Sequence, residues 1–125
     1  MGINSYRDLI VWREGMQLAT AAYRATESFP QRELYGLTSQ LRRCAVSVPS
    51  NIAEGHARSS TKDYLRHLSI ALGSLAELET QLILSKELGY LPDDRLKELL
   101  EFSDTLGRRL RSLQQSLQRR LRDNL

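Results

Sequence analysis

Arginine is the residue type in this chain that most clearly indicates a function. Residues 107–125 hold six arginines and one acidic residue, a net charge of +5, whereas residues 1–106 hold 12 basic and 14 acidic residues, a net charge of −2. Arginine's planar guanidinium suits phosphate, so this asymmetry points to a nucleic acid or another acidic partner; the alternative is a solvated, arginine-rich helix face. The candidate nucleic-acid-binding residues are Arg42, Arg43, Arg108, Arg109, Arg111, Arg119, Arg120 and Arg122.

Metal ligation has little support in the sequence. A metal site in a helical bundle needs Glu-x-x-His pairs that project inward. Glu54 and His56 are two residues apart and diverge on a helix, and the Asp63–His67 pair is typical of a surface hydrogen bond. We therefore expect no metal and no cofactor.

Nucleophilic catalysis has equally little support. Cys44 has arginine neighbours that could lower its pKa, but no histidine close in sequence that could act as a base, which favours a packing cysteine. Ser47, Ser50 and Ser74 lack the setting of a nucleophile elbow, and no glycine-rich phosphate loop is present. The sequence predicts a non-enzymatic protein.

Composition predicts one all-α domain over residues 1–125. The chain has 41% hydrophobic and 26% charged residues, with three prolines and seven glycines. No apolar run reaches the roughly 20 residues of a membrane span, and the N-terminus has no signal-peptide pattern. The single cysteine excludes an internal disulfide and is typical of the reducing cytoplasm, so we expect a cytoplasmic protein without membrane contact.

Apolar periodicity predicts four helices, at about residues 6–27, 31–56, 61–88 and 93–120. Short connections between long helices make consecutive helices antiparallel neighbours. The predicted fold is an antiparallel up-down-up-down four-helix bundle.

Pro49 lies inside the second predicted helix, where a proline removes one hydrogen bond and disfavours the preceding turn. The segment is therefore either a kinked long helix or a short break, and we predict a proline-kinked second helix. Ser47, Ser50 and Asn51 are types that can satisfy a freed carbonyl. Gly55 is either a helix stop or a point of close backbone approach.

Polar residues at inward positions of the second and third helices predict a buried network that fixes helix register; a ligand pocket is the alternative. The members are Gln40, Asn51, Glu54, Glu77 and Gln81. Trp12 and Tyr64 are interpreted as core or interface anchors, with base-stacking platforms as the alternative. The predicted structural motif is Trp12, Gln40, Pro49, Asn51, Glu54, Gly55 and Glu77.

Broad apolar surfaces on several helices favour self-association, with a well-filled core and scattered surface leucines as the alternative. Several motifs between residues 6 and 117 also carry a family resemblance. They are Asp8-Leu9-Ile10-Val11-Trp12, Phe29-Pro30 with Glu33 and Tyr35-Gly36-Leu37, Gln40-Leu41-Arg42-Arg43, Ser47-Val48-Pro49-Ser50-Asn51-Ile52-Ala53-Glu54-Gly55, Gly73-Ser74-Leu75-Ala76-Glu77-Leu78 and Leu88-Gly89-Tyr90-Leu91.

On these motifs the chain resembles the small four-helix-bundle proteins encoded in intervening sequences of bacterial large-subunit ribosomal RNA genes. The resemblance implies a bundle that assembles as a ring-like homopentamer. Related accessory proteins of diversity-generating retroelements bind nucleic acid through a basic surface and associate with a reverse transcriptase. The expected function is therefore RNA or DNA binding by a homo-oligomer, with a protein–protein scaffold or reverse transcriptase accessory subunit as the alternative. Arg42 and Arg43 match the family motif, whereas the C-terminal arginines are predicted on charge alone.

Overall fold

The computed structural model describes residues 5–124, and within them the chain is all-α. Four helices form the fold: α1 is Ile10–Thr26, α2 is Leu37–Ala57, α3 is Thr61–Glu87 and α4 is Asp93–Asp123. α1 and α3 each pack against both α2 and α4. Since consecutive helices are joined by short connections, this cyclic packing confirms the predicted antiparallel four-helix bundle.

The first two helices begin later than the sequence predicts, because an irregular residue follows a short 3-10 turn in each case. Leu9 is extended (φ −73°, ψ 128°) and separates the turn Tyr6–Asp8 from α1. Gly36 (φ −115°, ψ −113°) separates the turn Gln31–Glu33 from α2. Glu33 still serves the positive end of α2, since its Oε1 accepts a hydrogen bond from Leu37 N at 3.3 Å.

Leucine fills the space between the helices. Burial of each such side chain contributes about 1.5–3 kcal/mol, so the core is the main source of stability. The largest fully buried apolar side chains are Leu18, Leu41, Val48, Ile52, Leu68, Leu78, Leu82, Leu106 and Leu110.

α2 is one uninterrupted α-helix through Pro49, as predicted, and the alternative of a short break is excluded. The buried proline ring faces α1 at Gly15, where an added Cβ would lie 3.3 Å from Pro49 Cβ. The carbonyl that Pro49 leaves without its helix donor is that of Ala45, whereas the Asn51 side chain donates to the Ser47 carbonyl at 2.9 Å. The predicted kink stays a prediction.

Gly55 is the point where α2 comes closest to α3. A Cβ at this position would lie 2.8 Å from His67 Cβ and 3.0 Å from Tyr64 Cδ1. α2 continues beyond it to Ala57, so Gly55 allows close packing and does not end the helix.

We predict that Gly55→Ala destabilises the bundle by about 1–3 kcal/mol, because the methyl group overpacks the α2–α3 contact by more than the gain in helix propensity. Gly73→Ala is the matched control: no atom lies within 4 Å of its added Cβ, so it should stabilise the protein by about 0.4–1 kcal/mol. Urea unfolding followed by circular dichroism measures both changes. If both substitutions changed the free energy of unfolding by the same amount in the same direction, the close approach at Gly55 would be contradicted.

Candidate nucleic-acid interface

The second half of α4 presents a continuous basic surface. Four exposed arginines fall within a sector of about 80° on the side of the helix opposite its buried leucines. We call this set the α4 arginine stripe: Arg108, Arg111, Arg119 and Arg122.

The same face of α4 is acidic in its first half. Residues 93–106 hold five acidic residues against two basic ones. Glu101 and Asp104 occupy the sector that the arginine stripe occupies further along, and Asp94 lies about 20° beyond its edge. The outer face of α4 therefore changes sign near its middle. A polyanion is attracted to the second half of the helix and repelled from the first.

A second group of cations surrounds the end of the bundle where α2 meets α3. Antiparallel packing brings the last turns of α4 beside this connection. The group, named here the basic end cluster, is Arg58, Lys62, Arg119, Arg120 and Arg122. Within residues 5–124 none of the five forms an ion pair, whereas the neighbouring Arg66 pairs with Asp63 at 4.0 Å.

Two aromatic rings lie within this end of the bundle. His56 and Tyr64 meet edge to face, with ring centroids 5.9 Å apart. Burial raises the pKa of the Tyr64 hydroxyl, and the nearby Arg120 guanidinium lowers it in part. Arg120 of α4 therefore lies near the Tyr64 hydroxyl.

Arg109 and Arg108 have internal partners. Arg109 Nε lies 3.3 Å from Glu14 Oε1, an ion pair that joins α4 to α1. Arg108 donates to Thr105 Oγ1 at 3.3 Å within its own helix. Both guanidinium groups remain exposed to solvent.

The structure does not bring Arg42 and Arg43 to the other arginines. Arg42 Nε donates to Thr26 Oγ1 at 2.8 Å, and its guanidinium lies 4.8 Å from the centroid of the Tyr23 ring. Arg42 therefore joins α2 to the last turn of α1, an interaction that sequence spacing could not reveal. Arg43 is exposed, but it lies near the start of α2, towards the end of the bundle opposite the basic end cluster.

A polar network connects α2 to α3. Asn51 Oδ1 lies 3.1 Å from His67 Nδ1, and Glu54 Oε2 lies 3.7 Å from the same nitrogen. Asn51 Nδ2 also donates to Ser47 Oγ at 3.0 Å, and Ser47 Oγ lies 2.8 Å from Ser74 Oγ. His67 is only 4% exposed, so the expected surface hydrogen bond to Asp63 is wrong: the ring points into the bundle because it lies next to Leu68 on the buried face of α3.

Cys44 extends this network. Its Sγ donates to the Ser74 carbonyl at 3.0 Å and to Glu77 Oε2 at 3.2 Å. Burial, with the Glu77 carboxylate adding to it, raises the pKa of the thiol to about 12. Cys44 is therefore a neutral hydrogen-bond donor in the α2–α3 interface.

The expectation of a buried network is wrong for three of its five members, because Gln40, Glu54 and Glu77 are exposed. Gln81 is buried with its Oε1 outside any hydrogen bond to the described residues. Trp12 is half-buried and packs edge to face on Tyr6, with ring centroids 5.2 Å apart.

Residues 5–124 contain no group of three or more His, Cys, Asp or Glu residues that could hold a metal ion. No helix in this part of the chain is long and apolar enough to cross a membrane.

Residues 7–112 match the family of the 23S rRNA-intervening sequence protein, and the chain belongs to this family. The match includes Arg108, Arg109 and Arg111 but ends before Arg119, so the basic end cluster draws three of its arginines from outside the matched region. No curated protein matches the chain.

A solved structure from Bacteroides thetaiotaomicron resembles the whole bundle. It is described as a protein with unknown function from the S23 ribosomal protein family. The two share a TM-score of 0.78 and 20% sequence identity over 85% of this chain and 96% of that chain. At this identity the likeness shows a common fold.

We predict that Cys44 resists alkylation in the folded protein. With a pKa of about 12, roughly one thiol in ten thousand is ionised at pH 8. Iodoacetamide labelling followed by mass spectrometry should show slow modification at pH 8 and complete modification in denaturant. Rapid stoichiometric labelling of the native protein would contradict the buried, carboxylate-bonded thiol.

Proposed function

We propose that this member of the 23S rRNA-intervening sequence protein family is a non-enzymatic homo-oligomer that binds RNA or DNA through the α4 arginine stripe and the basic end cluster. The observation that carries the proposal is the exposure of all six arginines in the second half of α4. Only Arg109 among these six forms an ion pair within residues 5–124.

Phosphate contacts supply the binding energy in this proposal. Each neutralised phosphate releases condensed counterions, so several unpaired guanidinium groups on one surface favour a polyanion without reading its bases. The acidic first half of α4 limits the contact to one end of the bundle, because phosphates are repelled from Asp94, Glu101 and Asp104. The fold also lacks the known base-reading motifs, so we expect weak sequence preference.

Exposed apolar surface supports self-association. A groove of about 550 Å³ between α1 and α2 is lined mainly by aromatic and aliphatic side chains, among them Trp12, Met16 and Tyr23. Further large apolar side chains stand exposed on α3. They are Ile70, Ile83 and Leu84, with Leu88 directly after the helix.

Assembly would strengthen the proposed binding. Each copy adds another basic surface, and several weak contacts on one polyanion raise the overall affinity without a new type of contact. The family resemblance suggests a ring of five copies in the cytoplasm.

The apolar groove also favours a second candidate, an accessory subunit that docks a partner protein such as a reverse transcriptase. The two candidate functions differ in whether the purified protein binds nucleic acid by itself. A nucleic-acid-binding protein keeps its affinity when purified, whereas a scaffold binds nucleic acid only through its partner.

We predict that Arg119→Gln/Arg120→Gln/Arg122→Gln weakens binding to a structured RNA at least tenfold at 100 mM salt, because about three phosphate contacts are removed. Fluorescence anisotropy with a labelled RNA hairpin measures the dissociation constant. The circular dichroism spectrum should stay unchanged, since the three side chains are exposed.

The matched control is Arg24→Gln/Arg32→Gln/Lys97→Gln, which removes the same charge from exposed positions at the other end of the bundle. It should weaken binding less than threefold. Equal losses for both triple variants would mean that net charge alone governs binding, and would overturn the placement of the interface.

We predict that the purified protein has a mass several times 14.3 kDa, because assembly removes the exposed apolar side chains from water. Size-exclusion chromatography with light scattering gives this mass directly. A monomer at tens of micromolar protein would contradict the homo-oligomer.

A further inference from the structure

We propose that His56 and Tyr64 form a stacking platform for an unpaired nucleobase, so that the basic end of the bundle prefers single-stranded to base-paired nucleic acid. This inference rests on the proposed function and names the form of nucleic acid that the surface accepts. The platform is the aromatic pair already described, between the last turn of α2 and the first turn of α3.

The two rings are accessible and oriented differently. Both are half-buried, so each keeps part of its surface in solvent. Their planes meet at 87°, so the edge of one ring is directed at the face of the other. An arriving base stacks on the solvent-exposed ring surface that this contact leaves free, without separating a parallel stack.

Gly55 holds the platform in place. Tyr64 Cδ1 would lie 3.0 Å from a Cβ at position 55, so the tyrosine ring rests directly against the backbone of α2. A ring fixed in this way loses little rotamer entropy when a base stacks on it. The glycine thus serves both close helix packing and the presentation of an aromatic surface.

Cations lie at the same end of the bundle as both rings. Arg58 directly follows α2, Lys62 lies in the first turn of α3, and Arg120 of α4 lies near the tyrosine hydroxyl. Proteins that bind single strands combine a positively charged track for the backbone with aromatic rings for the bases. The basic end cluster and the aromatic pair supply these two components within one surface.

Base pairing would remove the stacking contribution. In a duplex the faces of the bases are covered by their neighbours, so only the phosphates can reach the basic end cluster. Phosphate contacts alone favour the duplex, which has the higher charge density. A preference for the single strand therefore reports stacking and separates it from simple electrostatics.

The test measures affinity for two probes, a fluorescein-labelled 20-nucleotide oligouridine and a 20-base-pair RNA duplex, at the same salt concentration. The wild-type protein should bind the single strand more tightly. His56→Ala and Tyr64→Leu should each weaken oligouridine binding about 5- to 150-fold, the range expected for loss of one stacked base, and change duplex binding less than threefold. His56→Ala keeps the test valid if Tyr64→Leu impairs folding.

Tyr35→Leu is the aromatic control, because this ring is 93% exposed and lies at the opposite end of the bundle. It should leave both affinities unchanged. The stacking platform would be overturned if His56→Ala and Tyr64→Leu weakened binding to both probes equally. It would also be overturned if they left both affinities unchanged. If the arginine triple variant still weakens binding in that case, the proposed function stands; failure of the wild-type protein to bind either probe would overturn both.

Discussion

The close approach of α2 to its two neighbours is the constraint on which the rest of the structure depends. α2 meets α1 where Pro49 faces Gly15, and it meets α3 where Gly55 faces His67 and Tyr64. At both points a glycine lets the two helices come together without an intervening side chain. The short separation brings Ser47 and Asn51 within hydrogen-bonding distance of Ser74 and His67. Each polar group in the network depends on this spacing, because a hydrogen bond tolerates little lengthening.

The same packing determines what the protein presents to a partner. Because consecutive helices are antiparallel, the last turns of α4 lie beside the connection between α2 and α3, and cations distant in sequence form one surface. The acidic first half of α4 is kept at the other end. The outer face of α4 is therefore acidic in its first half and basic in its second half, a difference that the net charge of +3 does not show. The proposed nucleic-acid binding depends on this distribution of charge along α4 and not on the net charge.

Sequence reasoning recovered the features that depend on local pattern. Leucines at three- and four-residue steps predicted the four helices, and the arginine content of α4 predicted its exposed basic face. It could not recover features that depend on the register between helices. Arg42 reaches Thr26, Cys44 reaches Glu77 and Arg109 reaches Glu14 only because two helices are aligned at a particular height. The burial of His67 also depends on how α2 and α3 are aligned, although its position beside Leu68 on an apolar face could have predicted this burial. The separation of Arg42 and Arg43 from the other arginines likewise follows from topology.

The central claim is that phosphate contacts on the arginine-rich end of the bundle bind nucleic acid. The most direct measurement is the affinity of the wild-type protein for a single RNA hairpin between 50 and 300 mM salt. We predict that the logarithm of the association constant falls linearly with the logarithm of the salt concentration, with a slope of about −3 or steeper, as expected for several neutralised phosphates. Absence of binding at 50 mM salt, or an affinity that does not change with salt, would contradict it.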